Sequence, residues 1–361
     1  MPLDNIGYLF QAFLVINLED FDFPLSDDRI AKYPAKNRDE SKLMVVQRKS
    51  GKITISPHFR NIADWLYPSD HIFYNETRVS KRRVYLETKN QDRIHETIFI
   101  ESRDSQYWNC LVRNSKKLKL GDILFSPVQK LEFIVFEKRE KDIVLKSNIT
   151  ILEEFFDQEG NIPIPPYLKR KSEPIDDIRY QSIFSEGKAA NSIAAPTASL
   201  HMSYELRKNL IEKGIQFHPL HLEIGFGTFQ PIYDEDIIKK KLHKEKIFIS
   251  PDTAIAHSLA SENKERRIAL GTTTLRSLEA MYRTSLDIRS GWEGETDIFL
   301  TPDDTIDTID GLITNFHLPK SSLLLLVSAF AGSELIMESY KLAIENDFTF
   351  FSYGDAMLIV D

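Results

Sequence analysis

Apolar and polar residues change their rhythm twice along the chain, and the two changes divide it. Between positions 82 and 146 they alternate in short runs at 83–88, 93–101, 106–113, 122–126, 130–137 and 142–146. A period of two, with branched and aromatic side chains on alternate positions, marks strands with one buried face. Six such runs at near-even spacing predict a small antiparallel barrel.

Outside that segment strands alternate with helices. Residues 42–47 and 53–56 read as a hairpin turning at 48–52, residues 71–75 as a strand, and residues 26–33 as a short helix capped by Ser26 and ended before Pro34. Residues 62–66 predict a helical turn stopped by Pro68. The proline-rich stretch 160–167 predicts an extended crossing, because proline fixes its own φ and keeps its predecessor out of the helical region. A helix at 206–213 closed by Gly214, a strand at 215–224, a buried strand at 266–270 and a helix at 272–282 follow. The unbroken apolar run 323–331 is too short to span a bilayer and predicts a helix buried in the protein. The fold class is α/β, with a larger mixed α/β domain (residues 1–76 and 151–361) interrupted by a small antiparallel β-barrel domain (residues 77–150).

Composition narrows this picture. A chain of 361 residues suits two domains, and 42% apolar with 28% charged residues excludes a disordered polymer. The single cysteine, Cys110, excludes an intramolecular disulfide and a multi-cysteine zinc site, and points to a reducing compartment, the cytoplasm. Residues 1–14 are apolar but lack a basic leading region and are too short to cross a membrane, so they do not read as a signal peptide; we expect translation to begin at Val15.

The net charge of −8 argues against a nucleic-acid partner only if it is evenly spread. It is not: from Arg78 to Thr150 there are 16 Lys and Arg against 10 Asp and Glu, whereas the remainder carries 30 against 44. One basic segment in an acidic protein is the footprint of a single face that meets phosphate, although a basic patch also serves solubility alone.

Four stretches carry candidate chemistry. Residues 191–201 combine small residues, Pro196 and the polar groups of Thr197, Ser199 and His201, which lets a backbone approach a ligand; an ordinary loop has the same composition. Gly225-Phe226-Gly227-Thr228 directly follows a strand, as a binding loop or a plain turn does. Gly271-Thr272-Thr273-Thr274 opens a helix, where free amides favour an anion, with Thr273 or Thr274 as the N-cap in the simpler reading. Arg276 and Glu279, three residues apart on one face of that helix, could pair with each other in a structural role. Finally, Asn315 and His317 fall at the carboxyl end of a strand, where ligands bind in open α/β sheets. No histidines or carboxylates have metal-ligand spacing, and neither a nucleophile elbow nor a phosphate-binding P-loop is present.

Taken together, Asn75-Glu76-Thr77-Arg78-Val79, Leu111 to Leu118, Ile162 to Tyr167, Arg179-Tyr180-Gln181, Ala194 to His201, Gly225 to Phe229, Gly271 to Glu279, Gly294 to Phe299 and Asp310 to Gly332 resemble the S-adenosylmethionine:tRNA ribosyltransferase-isomerases of queuosine biosynthesis over nearly the full length. The resemblance implies transfer and isomerisation of the ribosyl group of S-adenosylmethionine onto 7-aminomethyl-7-deazaguanine at the tRNA wobble position, giving epoxyqueuosine, adenine and methionine. S-adenosylmethionine is then a consumed substrate; no cofactor, metal or membrane is implied.

That chemistry needs a base beside the sulfonium, a donor for departing adenine and polar groups for the ribose and methionine. His201 is the first choice for proton transfer, with Glu223, Asn315 and His317 as further catalytic candidates. Thr197, Ser199, Gly225, Gly227, Thr228, Gly271, Thr272, Thr273 and Arg276 are assigned to the substrate, and Arg78, Arg83, Arg113, Lys116 and Lys117 to tRNA phosphates. The chain departs from the family pattern at Ser199 and Met202, usually glycine and phenylalanine, and at Glu223, usually histidine. Two alternatives therefore stay open: a related transferase with another acceptor, and a non-catalytic tRNA-binding relative.

Overall fold

The computed structural model describes residues 16–89, 93–229, 234–285 and 287–361; the expected start at Val15 lies outside them. A hairpin of β1 (Leu43–Gln47) and β2 (Lys52–Ser56) leads to β3 (His71–Asn75) and the short β4 (Arg78–Val79). Six strands follow: β5 (Arg83–Thr88), β6 (Ile94–Asp104), β7 (Tyr107–Val112), β8 (Ile123–Phe125), β9 (Glu132–Lys138) and β10 (Ile143–Ser147). They close into an antiparallel barrel in the order β10-β7-β6-β5-β8-β9, as the alternation predicts. Its filling comes from the inward positions, among them Val84, Leu86, Phe99, Phe133 and Leu145, with Cys110 buried beside them.

The chain then builds α1 (Glu153–Glu159), α2 (Pro174–Arg179), β11 (Ala190–Ser192), α3 (Tyr204–Glu212), β12 (Gln216–Leu222), α4 (Asp234–Lys239) and β13 (Lys241–Ile249). It ends with α5 (Pro251–Glu262), β14 (Arg267–Leu270), α6 (Thr272–Thr284), β15 (Trp292–Ile298), β16 (Gly311–Asn315), α7 (Ser322–Ala331), α8 (Ser333–Glu345) and β17 (Ala356–Val360). Nine strands form one mixed sheet in the order β15-β13-β12-β3-β14-β16-β17-β1-β2, in which β12, β3, β14 and β16 run parallel.

Central strands covered on both faces should read as continuous apolar runs, and β16 and β17 are buried at every position. Successive residues serve opposite layers: Met44, Leu312 and Met357 join the core under α6, α7 and α8, whereas Leu43, Ile313 and Leu358 join the core beneath α3. Full burial of each such side chain is worth about 1.5–3 kcal/mol. The apolar run of α7 is explained in this way, since Leu324, Leu325 and Val327 are all enclosed. No single helix among the described residues is long and apolar enough to cross a membrane.

One local expectation fails. Residues 26–33 hold only a 3-10 turn, Asp27–Arg29, and Ser26 makes no capping bond. Pairing explains this: the amide of Phe350 donates to Arg29 O at 2.8 Å and Ile30 bridges to Phe350, which draws the segment into extended form. At the barrel entrance, β4 pairs with β11, and the first barrel strand spans Arg83–Thr88 as expected.

Candidate active site

Because β12, β14 and β16 run in the same direction, the loops leaving their carboxyl ends open at one edge of the sheet. Ile224 and Thr228 follow β12, Gly271, Thr272 and Thr273 follow β14, and His317 to Leu323 follow β16; with residues 194–198 they enclose a cavity of about 260 Å³. Its walls are mainly apolar, with Tyr167 packed on Phe351 at a ring separation of 4.2 Å. Gly271 sits at φ +98°, a region that side chains rarely adopt, and turns the chain from β14 into α6.

Neither expected threonine caps α6. Thr274 Oγ1 donates back to Leu270 O at 2.9 Å, Thr273 Oγ1 is buried without a partner, and Gly271 holds the N-cap position. α7 begins on the same cavity, through Ser322 and Leu323. Two helix N-termini, whose leading amides lack intrahelical acceptors, therefore point their positive ends at one space.

His317 lines this space. Its backbone N–H donates to the Tyr340 hydroxyl at 2.9 Å, and its Nε2 lies 3.0 Å from Thr314 Oγ1, which leaves Nδ1 with no partner among the described residues. Burial pushes its pKa down to about 3, so the ring is a neutral imidazole at physiological pH.

His201 does not line the cavity. The Asn315 amide donates to His201 Nε2 at 2.9 Å and to Phe351 O at 3.1 Å, so Nε2 accepts and the ring proton sits on Nδ1, which faces Ser41 Oγ at 2.8 Å. Both nitrogens are occupied, and burial together with the charge of Arg38 pushes the pKa down to about 3. The first choice for proton transfer is corrected on this geometry: His201 sits behind the wall and holds Asn315, which does line the cavity.

The sequence reading missed Glu245. Its enclosed carboxylate receives the Gly225 amide at 3.3 Å, the Thr228 hydroxyl at 3.2 Å and Arg276 Nη1 at 2.6 Å, with His243 Nε2 at 3.1 Å. Burial raises its pKa, but Arg276 and His243 outweigh that and hold it below the usual carboxylate value. Arg276 thus pairs with Glu245 and not with Glu279, which instead accepts from Thr308 and Arg283. The signal was in the strand: Glu245, Ile247 and Ile249 share the buried face of β13, and a carboxylate on such a face needs a partner. Gly227 fits here because a Cβ would lie 2.3 Å from the His243 ring.

A family model described as "Queuosine biosynthesis protein" matches residues 18–359. The chain belongs to this family. It is 38% identical to the S-adenosylmethionine:tRNA ribosyltransferase-isomerase of Trichlorobacter lovleyi, covering 95% of this chain and 99% of the relative. With the enzyme of the same name from Thermosipho melanesiensis it shares 39% identity, covering 95% and 100%. The crystal structure of S-adenosylmethionine tRNA ribosyltransferase from Thermotoga maritima superposes with a TM-score of 0.55 at 30% identity, over 94% of this chain and all of that one. The mixed α/β architecture thus matches that of a solved relative.

Against the family pattern, the departures at Ser199, Met202 and Glu223 fall outside the cavity wall. Ser199 is fully buried with an unpartnered Oγ, Met202 packs in the core beneath α3, and Glu223 donates its amide to Lys246 O while its charge reaches Arg82. Of the other substrate candidates, Thr197, Thr228, Gly271, Thr272 and Thr273 line the cavity; Gly225, Gly227 and Arg276 support it from behind. Of the tRNA candidates, Arg78, Arg113, Lys116 and Lys117 are exposed. Arg83 is buried, donates to Ile164 O at 2.8 Å and faces Glu96 at 3.3 Å, so it is withdrawn as a phosphate contact. Among the described residues, no three His, Cys, Asp or Glu side chains stand together as metal ligands.

Proposed function

We propose that this chain transfers and isomerises the ribosyl group of S-adenosylmethionine onto the 7-aminomethyl-7-deazaguanine base of tRNA, forming epoxyqueuosine with release of adenine and methionine. The observation that carries this reading is near full-length identity of 38–39% with relatives bearing that name. The geometry supports it. A neutral imidazole with one free nitrogen, His317, sits among apolar walls that shield a reactive intermediate from water.

In this reading His317 Nδ1 takes the proton from the carbon beside the sulfonium. Thr272, Thr273 and Asn315 bind the adenosine portion, and the amides opening α6 favour negative charge that develops as adenine leaves. S-adenosylmethionine is consumed as a substrate, and no cofactor takes part. Exposed Arg78, Arg113, Lys116 and Lys117 meet tRNA phosphates, and the reaction takes place in the cytoplasm. Burial of Ser199 and Met202 away from the cavity weighs against a changed acceptor.

The test is to incubate the protein with S-adenosylmethionine and tRNA bearing the precursor base. Free adenine together with epoxyqueuosine in the digested tRNA supports the proposal. Turnover only with another acceptor, or tRNA binding with no turnover, rejects it.

A further inference from the structure

Among the described residues lining the cavity, Lys320 is the one that carries a full charge. Its placement is built. Lys320 adopts φ +54° between β16 and α7, and its amide donates to Phe21 O at 3.0 Å. Nζ lies 2.8 Å from Glu19 Oε2 and 2.9 Å from Asp22 Oδ2, carboxylates at the two ends of the 3-10 turn Leu18–Phe21. Phe21 anchors that turn in the core, so the two carboxylates hold Lys320 from a fixed base where it meets the cavity.

Directly after Lys320, Ser321 caps α7 by accepting from the Leu324 amide at 3.3 Å. The amides of Ser322 and Leu323, both on the cavity, remain as leading donors of a ten-residue helix. Nearby, Oδ1 of Asn315, a residue only 2% exposed that lines the cavity, is buried without a partner. A cation beside free amides suits a carboxylate, and a pair of solvent-reachable carboxylates suits an ammonium.

We infer that Lys320, Glu19, Asp22 and the first turn of α7 form the subsite for the amino-acid end of the sulfonium substrate. The α-carboxylate takes Lys320 Nζ and the amides of Ser322 and Leu323; the α-ammonium takes Glu19 and Asp22. The inference rests on the reading of S-adenosylmethionine as substrate. Charge matches as well: the triad carries −1, and the substrate, a zwitterion with a sulfonium, carries +1. Lys320, Ser322 and Leu323 line the same cavity as His317, and Glu19 and Asp22 join it through Lys320, so methionine bound there presents its sulfur toward the imidazole.

The test follows adenine release with precursor tRNA saturating, and uses S-adenosylmethionine and its decarboxylated analogue, which lacks only the α-carboxylate. Lys320→Met raises KM for S-adenosylmethionine about tenfold or more with kcat within a few-fold, because a charge-assisted contact shared by ground and transition states is lost. The inhibition constant of the decarboxylated analogue stays within twofold of wild type. Equal weakening of both ligands, or of neither, overturns the subsite.

If Lys320→Met does not fold, the wild-type enzyme decides alone: binding both ligands equally well overturns the carboxylate assignment. Glu19→Gln combined with Asp22→Asn tests the ammonium half, and an unchanged KM rejects it. Absence of any adenine from the wild-type protein overturns the functional reading itself, and the subsite with it.

Discussion

The Asn315 amide donates to His201 Nε2 at 2.9 Å, which makes the buried histidine an acceptor and fixes the carboxamide at the cavity wall. The two histidines nearest the site thus have different tasks. His201 has no nitrogen left for a substrate, whereas His317 keeps Nδ1 free on the cavity side of the fold.

Replacing His317 with alanine is expected to lower kcat by about 10²–10⁴-fold, the range for losing a positioned acid or base. KM for tRNA should stay close to wild type, since the ring lies in the small-molecule cavity. Steady-state kinetics in both substrates check this, and a wild-type kcat removes His317 from the chemistry.

His201 should make stability depend on pH. Its folded-state pKa, about 3, lies below the ordinary 6.5, so the unfolded chain binds a proton first as the pH falls. The stability it contributes is complete above pH 6.5 and is lost progressively down toward pH 3, by about 2 kcal/mol at pH 5. Urea midpoints at pH 7.5 and pH 5 measure the loss, which should be smaller in His201→Gln; an identical slope in the variant contradicts the assignment.

Glu245→Ala leaves the Arg276 guanidinium buried without its counter-ion, and is expected to cost about 3–5 kcal/mol of stability. The double variant Glu245→Gln with Arg276→Met should recover much of that, because it removes the stranded charge. Chemical denaturation of the three proteins reads it out. If the double variant is no more stable than Glu245→Ala, the buried charge is not the cause.

Reversing Lys116 and Lys117 to glutamate should weaken tRNA binding and flatten its dependence on salt, because fewer counter-ions are released on binding. Arg83→Ala should instead lower the melting temperature, since that side chain holds Ile164 O and Glu96 inside the protein. Binding isotherms at several salt concentrations separate the two cases. An unchanged salt slope for the lysine variant would remove that loop from the interface.

Much of the fold was legible because its signals are local. The two-residue period of 82–146 and the apolar run of α7 report burial on one or both faces, and the structure places both where that pattern implies. Asn315 and His317 were legible for a similar reason, as polar residues at and just beyond the end of an apolar strand. The role of His201 was not, because it depends on Ser41 and Asn315, which lie 160 and 114 positions away in the chain. The pairing of β17 with β1 joins the two ends of the described chain and likewise leaves no local mark. Glu245 falls between these cases: its inward position was visible in the alternation of β13, but its partners on the glycine loop and α6 were not.

The central claim is that His317 removes the proton beside the sulfonium. S-adenosylmethionine carrying tritium at the ribose 5′ carbon, incubated with precursor tRNA, tests it through the tritium that appears in water. The account predicts release by the wild-type protein and loss of release in His317→Ala that keeps its fold; release from that variant at the wild-type rate would contradict it.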